Sequence, residues 1–205
     1  MLKVGLTGGY ATGKTFVAHE FERLGCHLIF ADQLGHATLQ PDGAAYGPTI
    51  EHFGREILLP DGTIDRKKLA SIVFDAPERL AKLTAIVHPA VFQIEEQMLA
   101  DFAIGNPGGI AILEAAILIE TGRYADCDKL ILTACDREIQ IARGMKRDGI
   151  TREAVIGRLD RQLSLEEKKR YADFVIDTGG CKEETVKQVE TIFHALKPLA
   201  EAAAH

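Results

Sequence analysis

Five short apolar runs, at residues 2–6, 27–30, 109–113, 129–133 and 174–176, restrict the fold of this 205-residue chain more than any other feature. They are too short for buried helices and do not alternate, which predicts strands covered on both faces. Helix-period segments follow four of them, at 14–24, 32–39, 137–146 and 183–196, with a short turn near Leu118 after the third strand. Strand–helix alternation of this kind predicts a doubly wound α/β fold with a five-stranded parallel sheet.

Two stretches exceed a simple crossover. Residues 41–106 read as entirely helical, with Pro77 in the first turn of one helix and Pro89 at the break before another. Residues 148–170 hold helix starts at Thr151 and at Ser164-x-x-Glu167, a capping box. The expectation is one domain: a core of 1–40, 107–147 and 171–200, a helical substrate lobe at 41–106, and a mobile basic helical lid at 148–170. Structural helical padding is the plainer reading of both insertions.

The net charge is −6, which argues against a protein devoted to nucleic acid or to an anionic membrane. Asp136 to Arg170 nonetheless carries ten Lys and Arg against seven Asp and Glu, so an anionic small molecule is the expected partner. Cys26, Cys127, Cys135 and Cys181 are scattered without a Cys-x-x-Cys pair and read as reduced, mostly buried thiols. No signal-peptide core or bilayer-length apolar stretch is visible, so the expected address is cytoplasmic.

Between the first strand and the first helix stands Gly8-Gly9-Tyr10-Ala11-Thr12-Gly13-Lys14-Thr15, a full match to G-x-x-x-x-G-K-[S/T]. The glycines let successive N–H groups face phosphate oxygens. Lys14 supplies a point charge to the β- and γ-phosphates, Thr15 offers a hydroxyl to Mg²⁺, and the helix adds its positive end. A nucleoside triphosphate is therefore expected here. A dinucleotide fold is rejected: Asp32 has the spacing of a ribose-binding acid, but the glycines do not give G-x-G-x-x-G.

A phosphate loop alone does not separate kinase, switch and motor. No Asn-Lys-x-Asp guanine reader is present. Arg143 and Arg147, four apart on one helix face, can supply charge to a transferring phosphoryl group. Asp32, after the second strand, suits either a general base or a helix N-cap. Glu114, ending the third strand, suits either a magnesium site reached through water or an ordinary surface carboxylate. His88 before Pro89 suits either a pocket or a helix end.

In order and spacing these residues resemble the dephospho-coenzyme A kinase family over nearly the whole chain. The carriers are Leu6-Thr7-Gly8-Gly9 with Gly13-Lys14-Thr15, Ala31-Asp32, Ile86-Val87-His88-Pro89, Glu114-Ala115-Ala116-Ile117-Leu118, Arg143-x-x-x-Arg147-Asp148, Arg158 with Gln162, and Ala172 to Asp177. The resemblance implies ATP- and Mg²⁺-dependent transfer of a γ-phosphate to the 3′-hydroxyl of dephospho-coenzyme A, the last step of coenzyme A synthesis. It implies that Asp32 is the base, that Arg143 and Arg147 are lid contacts to phosphate, and that His88 lines the substrate pocket.

Three departures stand out. Tyr10-Ala11-Thr12 replaces a more glycine-rich middle of the loop, and Tyr10 offers a ring to a neighbouring lobe. Glu114-Ala115-Ala116 keeps an acid on a longer arm. Thr178 stands where Asn is common and leaves the adenine side undefined. The rival readings are another small-acceptor kinase, such as a nucleoside monophosphate kinase, and a nucleotide switch without phosphotransfer.

Overall fold

The apolar run that opens the chain forms strand β1 (Leu2–Gly8) and leads through the glycine-rich loop into α1 (Lys14–Arg23), in a computed structural model that describes residues 1–74 and 76–204. Strand β2 (His27–Phe30) passes directly into α2 (Ala31–Thr38), followed by α3 (Tyr46–Phe53), α4 (Arg66–Phe74) and α5 (Pro77–Gly105). Next come β3 (Ile110–Glu114), β4 (Lys129–Ala134), α6 (Arg137–Asp148), α7 (Arg152–Leu159), α8 (Leu165–Lys169), β5 (Phe174–Asp177) and α9 (Lys182–Ala202). The chain divides into two units, Met1–Phe30 with Asp101–His205, and Ala31–Ala100.

All five expected strands form one parallel sheet in the order β2-β3-β1-β4-β5. One face presents Leu2, Val4 and Leu6 with Ile110, Ile112, Ile131 and Ile176, packed by Val17 and Phe21 of α1 and by Val189, Ile192 and Leu196 of α9. Each such side chain contributes about 1.5–3 kcal/mol when taken from water, so this layer dominates the unit's stability. Asp173 fixes the start of the β4–β5 pairing: it bonds Lys129 Nζ at 2.8 Å and accepts from Leu130 N at 2.8 Å.

The segment between α6 and β5 packs onto α6 through a core of Ile141, Val155 and Leu159, against which Tyr10, Ile150 and Ile156 also pack. Arg152 holds Glu138 through two bonds of 2.9 and 2.6 Å, and Arg137 reaches Asp160 at 2.6 Å. Both helix starts fall where expected. Thr151 Oγ1 accepts from Ala154 N, and Ser164 forms the full capping box with Glu167.

The other unit is built around Phe53, Ile57, Ile64, Leu69 and Val73. It corrects two expectations. It is not wholly helical, because Leu58 and Ile64 make an antiparallel bridge around a tight turn. Nor does Pro89 break a helix, since α5 runs through it. Proline removes the N–H that would bond the Ala85 carbonyl and crowds that carbonyl, and here the crowded residue, Ala85, is exposed.

Cys26 and Cys135 are buried and Cys127 is half-buried. Burial pushes the Cys26 thiol up to about 12 and Cys127 to about 11, but Cys181, at the start of α9, is exposed. Among the described residues no helix is long and apolar enough to cross a membrane.

Candidate active site

Parallel pairing brings the carboxyl ends of the strands to one edge, and register sets the height of each residue there. Leu6 and Phe30 both pair with Glu114, while Gly8 pairs with Thr133. The glycine-rich loop leaves the edge above Thr133 and is packed tightly on it. A Cβ on Gly8 would stand 2.2 Å from Thr133 Oγ1 and 2.7 Å from Thr133 O, so the first glycine is a requirement of close approach.

Three threonines brace the loop from within. The Thr12 hydroxyl donates to Gly9 O and is 2.8 Å from Thr133 Oγ1. Thr178 Oγ1 donates to Thr12 O at 2.7 Å. Thr178, the departure at the end of β5, is thus a buried strut for the phosphate loop. Two loop residues lie in the left-handed region, Gly13 at φ 82° and Ala11 at φ 59°. Lys14 arches back over the loop, its Nζ 3.2 Å from Gly9 O and 3.4 Å from Gly8 O. Thr15 is exposed in the first turn of α1, a turn without acidic residues. A helix start and a cation over a glycine-rich loop are the elements of an anion cradle.

Tyr10 joins this cradle to the α6–α8 segment. Its backbone N donates to Gln162 Oε1 at 2.8 Å, its phenol bonds Asp148 Oδ2, and Arg158 Nη1 donates to the phenol oxygen at 3.1 Å. The Arg147 guanidinium lies 4.7 Å above the ring and that of Arg158 5.5 Å. Asp148 accepts from Arg147 Nε at 2.7 Å and from Arg158 Nη1 at 2.5 Å. Arg147 first, then Tyr10, holds the Asp148 carboxyl well below the usual carboxylate range.

The two predicted arginines share a face of α6 but serve different partners. Arg143 donates to Thr178 O at 2.6 Å and so grips the strut behind the phosphate loop, whereas Arg147 turns to Asp148 and Tyr10. Both lie in α6, ahead of the segment expected as the lid. Between that segment and the ends of β4 and β5 is a cavity of about 630 Å³, bordered by Gly9, Asp136, Gln140, Leu165 and Asp177. Its size is within the range of small-molecule pockets.

Glu114 is 5% exposed at the last position of β3, so it is not a surface carboxylate. Asp32 is exposed and lies inside the first turn of α2, which begins at Ala31; the N-cap reading is therefore corrected. Within the same unit, Arg66 Nη2 meets His36 Nε2 at 2.5 Å. Burial, then Arg66, lowers the His36 pKa, with Asp32 opposing them. His88 is half-buried in a groove of about 700 Å³ along α5, with Leu80, Thr84 and Phe92.

The sequence profile of the dephospho-CoA kinase family matches residues 2–183. A dephospho-CoA kinase of Geobacter metallireducens is 42% identical over 94% of this chain and 96% of its own length. One from Aquifex aeolicus is 39% identical over 96% and 98%. The chain belongs to the dephospho-CoA kinase family. Among solved structures, a dephospho-CoA kinase from Campylobacter jejuni superposes with a TM-score of 0.70 at 27% identity, covering 96% of this chain and 97% of that one. The family is one of ATP-dependent phosphotransferases with a small-molecule substrate.

Sequence reasoning did not assign roles to Thr178, Gln162, Asp148, Arg158, His36, Arg66 or Lys168. The last is a fully buried lysine on α8 whose Nζ bonds Ala116 O at 3.0 Å and Glu120 Oε1 at 2.8 Å. Its signal was the short basic run 168–170, which gives no hint that one member points inward.

Proposed function

We propose that this protein transfers the γ-phosphoryl group of ATP to the 3′-hydroxyl of the ribose of dephospho-CoA, in the cytoplasm. The observation that carries this reading is the family likeness over 94% of the chain, which spans both the phosphate cradle and the Ala31–Ala100 unit. In this reading the loop amides and Lys14 hold the β- and γ-phosphates. Thr15 and, through water, Glu114 would hold Mg²⁺, which when bound supplies charge neutralisation between phosphate oxygens. This donor set suits Mg²⁺, which keeps several waters and takes one or two protein ligands beside the phosphates.

Asp32, exposed beyond the carboxyl end of β2, orients the ribose hydroxyl and takes its proton as the oxygen bonds phosphorus and ADP departs. Arg147 contacts the phosphates of bound ATP. Arg143 acts one step removed, by holding Thr178 and hence the loop. His88 contributes to the acceptor's groove. Positioning and charge stabilisation supply most of the rate.

A coupled assay of ADP release tests the reading. Turnover with dephospho-CoA is expected; turnover with nucleoside monophosphates alone would end it. Asp32→Asn should keep ATP affinity within about twofold while kcat falls on the order of 100-fold or more, the share usual for a general base. Unchanged turnover in that variant would favour a different base.

A further inference from the structure

We propose that Tyr10 is a positioning residue that pre-sets Arg147 and Arg158 as a pair of phosphate readers on the nucleotide loop. The proposal rests on the phosphotransfer reading and adds to it how the arginines are aimed. Tyr10 belongs to the loop, yet among the described residues its side chain meets the α6–α7 region. The phenol joins Asp148 and Arg158, and both guanidiniums lie against the ring. Its backbone N–H is held separately by Gln162. Gly144 makes room for the ring: a Cβ there would stand 2.5 Å from Tyr10 Cε1.

The charges in this cluster do not cancel. One carboxylate, Asp148, faces two guanidiniums, which leaves a net positive charge beside the loop. Arg147 commits Nε and Nη2 to Asp148, and Arg158 commits Nη1. Their side chains remain 58% and 48% exposed, so N–H groups are left to meet an incoming anion. A free arginine loses much rotamer freedom when it binds phosphate. Arginines already stacked on an aromatic face and locked by a shared carboxylate lose less, and the saving appears as affinity. Tyr10 therefore acts on ATP binding through the arginines, with the chemical step left to other groups.

The test measures ATP affinity calorimetrically without acceptor, beside steady-state kinetics with dephospho-CoA. Tyr10→Ala should weaken ATP binding about tenfold, and Tyr10→Phe, which keeps the ring, about threefold. In both, kcat should change much less than KM for ATP, and KM for dephospho-CoA should hold. Arg158→Lys should cost less in the Tyr10→Ala background than in the parent, the coupling expected of groups that act together.

Val155→Ala, which loosens the same apolar cluster without touching the arginines, serves as the packing control and should not reproduce the affinity loss. If Tyr10→Ala binds ATP as the parent does while the parent turns over, the positioning role is overturned and the kinase reading stands. If Val155→Ala matches Tyr10→Ala in affinity, Tyr10 is packing alone and the proposal fails. A parent that binds no ATP overturns both.

Discussion

Lys168 and Arg158 both tether the segment between α6 and β5 through a carboxylate, but in opposite settings. The Lys168 side chain is fully buried, bonded to Glu120 and to the Ala116 carbonyl, which also accepts from the Thr7 hydroxyl. Glu120 in turn accepts from Leu163 N. Arg158 is half-exposed and shares Asp148 with Arg147 over the Tyr10 ring. A fully buried cation has no water to replace a lost partner, even though its partner Glu120 reaches the surface, so the pair fixes geometry and is costly to break. A half-exposed one exchanges partners at little cost, which suits groups that must also meet a ligand. Burial, more than residue type, separates the structural cation from the working ones.

The comparison is broken most directly by stranding the buried cation. Glu120→Ala leaves the Lys168 ammonium with backbone acceptors alone and should cost about 3 kcal/mol. That corresponds to a melting temperature lower by roughly 6–12 °C in a chain of this size. Adding Lys168→Met should recover part of the loss, and no recovery would mean that the pair is not the cause.

Gly144→Ala tests the exposed side. The new methyl gains about 1 kcal/mol of helix propensity but must displace the Tyr10 ring, at about 1–3 kcal/mol. A net loss near 1 kcal/mol is expected in chemical denaturation, together with weaker ATP binding.

Asp148 sharpens the contrast through pH. Its carboxyl is held below its ordinary range in the folded chain, so its contribution is complete above that range and lost as pH falls through the folded value. The melting difference between the parent and Asp148→Asn should therefore stay constant from about pH 8 to 5 and shrink below about pH 4. A difference that changes near neutrality would mean that another group holds the cluster.

The smallest effect is expected in the loop itself. Ala11 sits at φ 59°, which costs an L-residue about 1–2 kcal/mol. Ala11→Gly relieves that strain but adds about 0.4–1 kcal/mol of unfolded-chain entropy. A net gain near 0.5 kcal/mol should appear as a slightly raised melting temperature.

Much of this is legible in the amino-acid sequence. The five strands were readable because residues covered on both faces must be apolar in succession. The phosphate loop was readable because its glycines, lysine and threonine each have a separate physical task. Thr151 and Ser164 were readable as helix starts because capping is local. Pro89 was misread because a proline looks the same in sequence whether its helix stops or continues. Arg143 and Arg147 could be placed on one face of α6 but not told apart, since their partners Thr178 and Asp148 stand in different directions.

The sequence by itself therefore determined the parallel α/β core, the nucleotide loop and the family, all of which rest on local patterning and on motif order. Only the tertiary structure decided that Thr178 braces the loop, that Lys168 points inward, and that Tyr10 carries the arginines. The physical reason is separation along the chain. Tyr10 meets Arg158 across 148 residues, Thr178 meets Thr12 across 166, and no periodicity in the sequence records which distant partner a buried or stacked side chain will find.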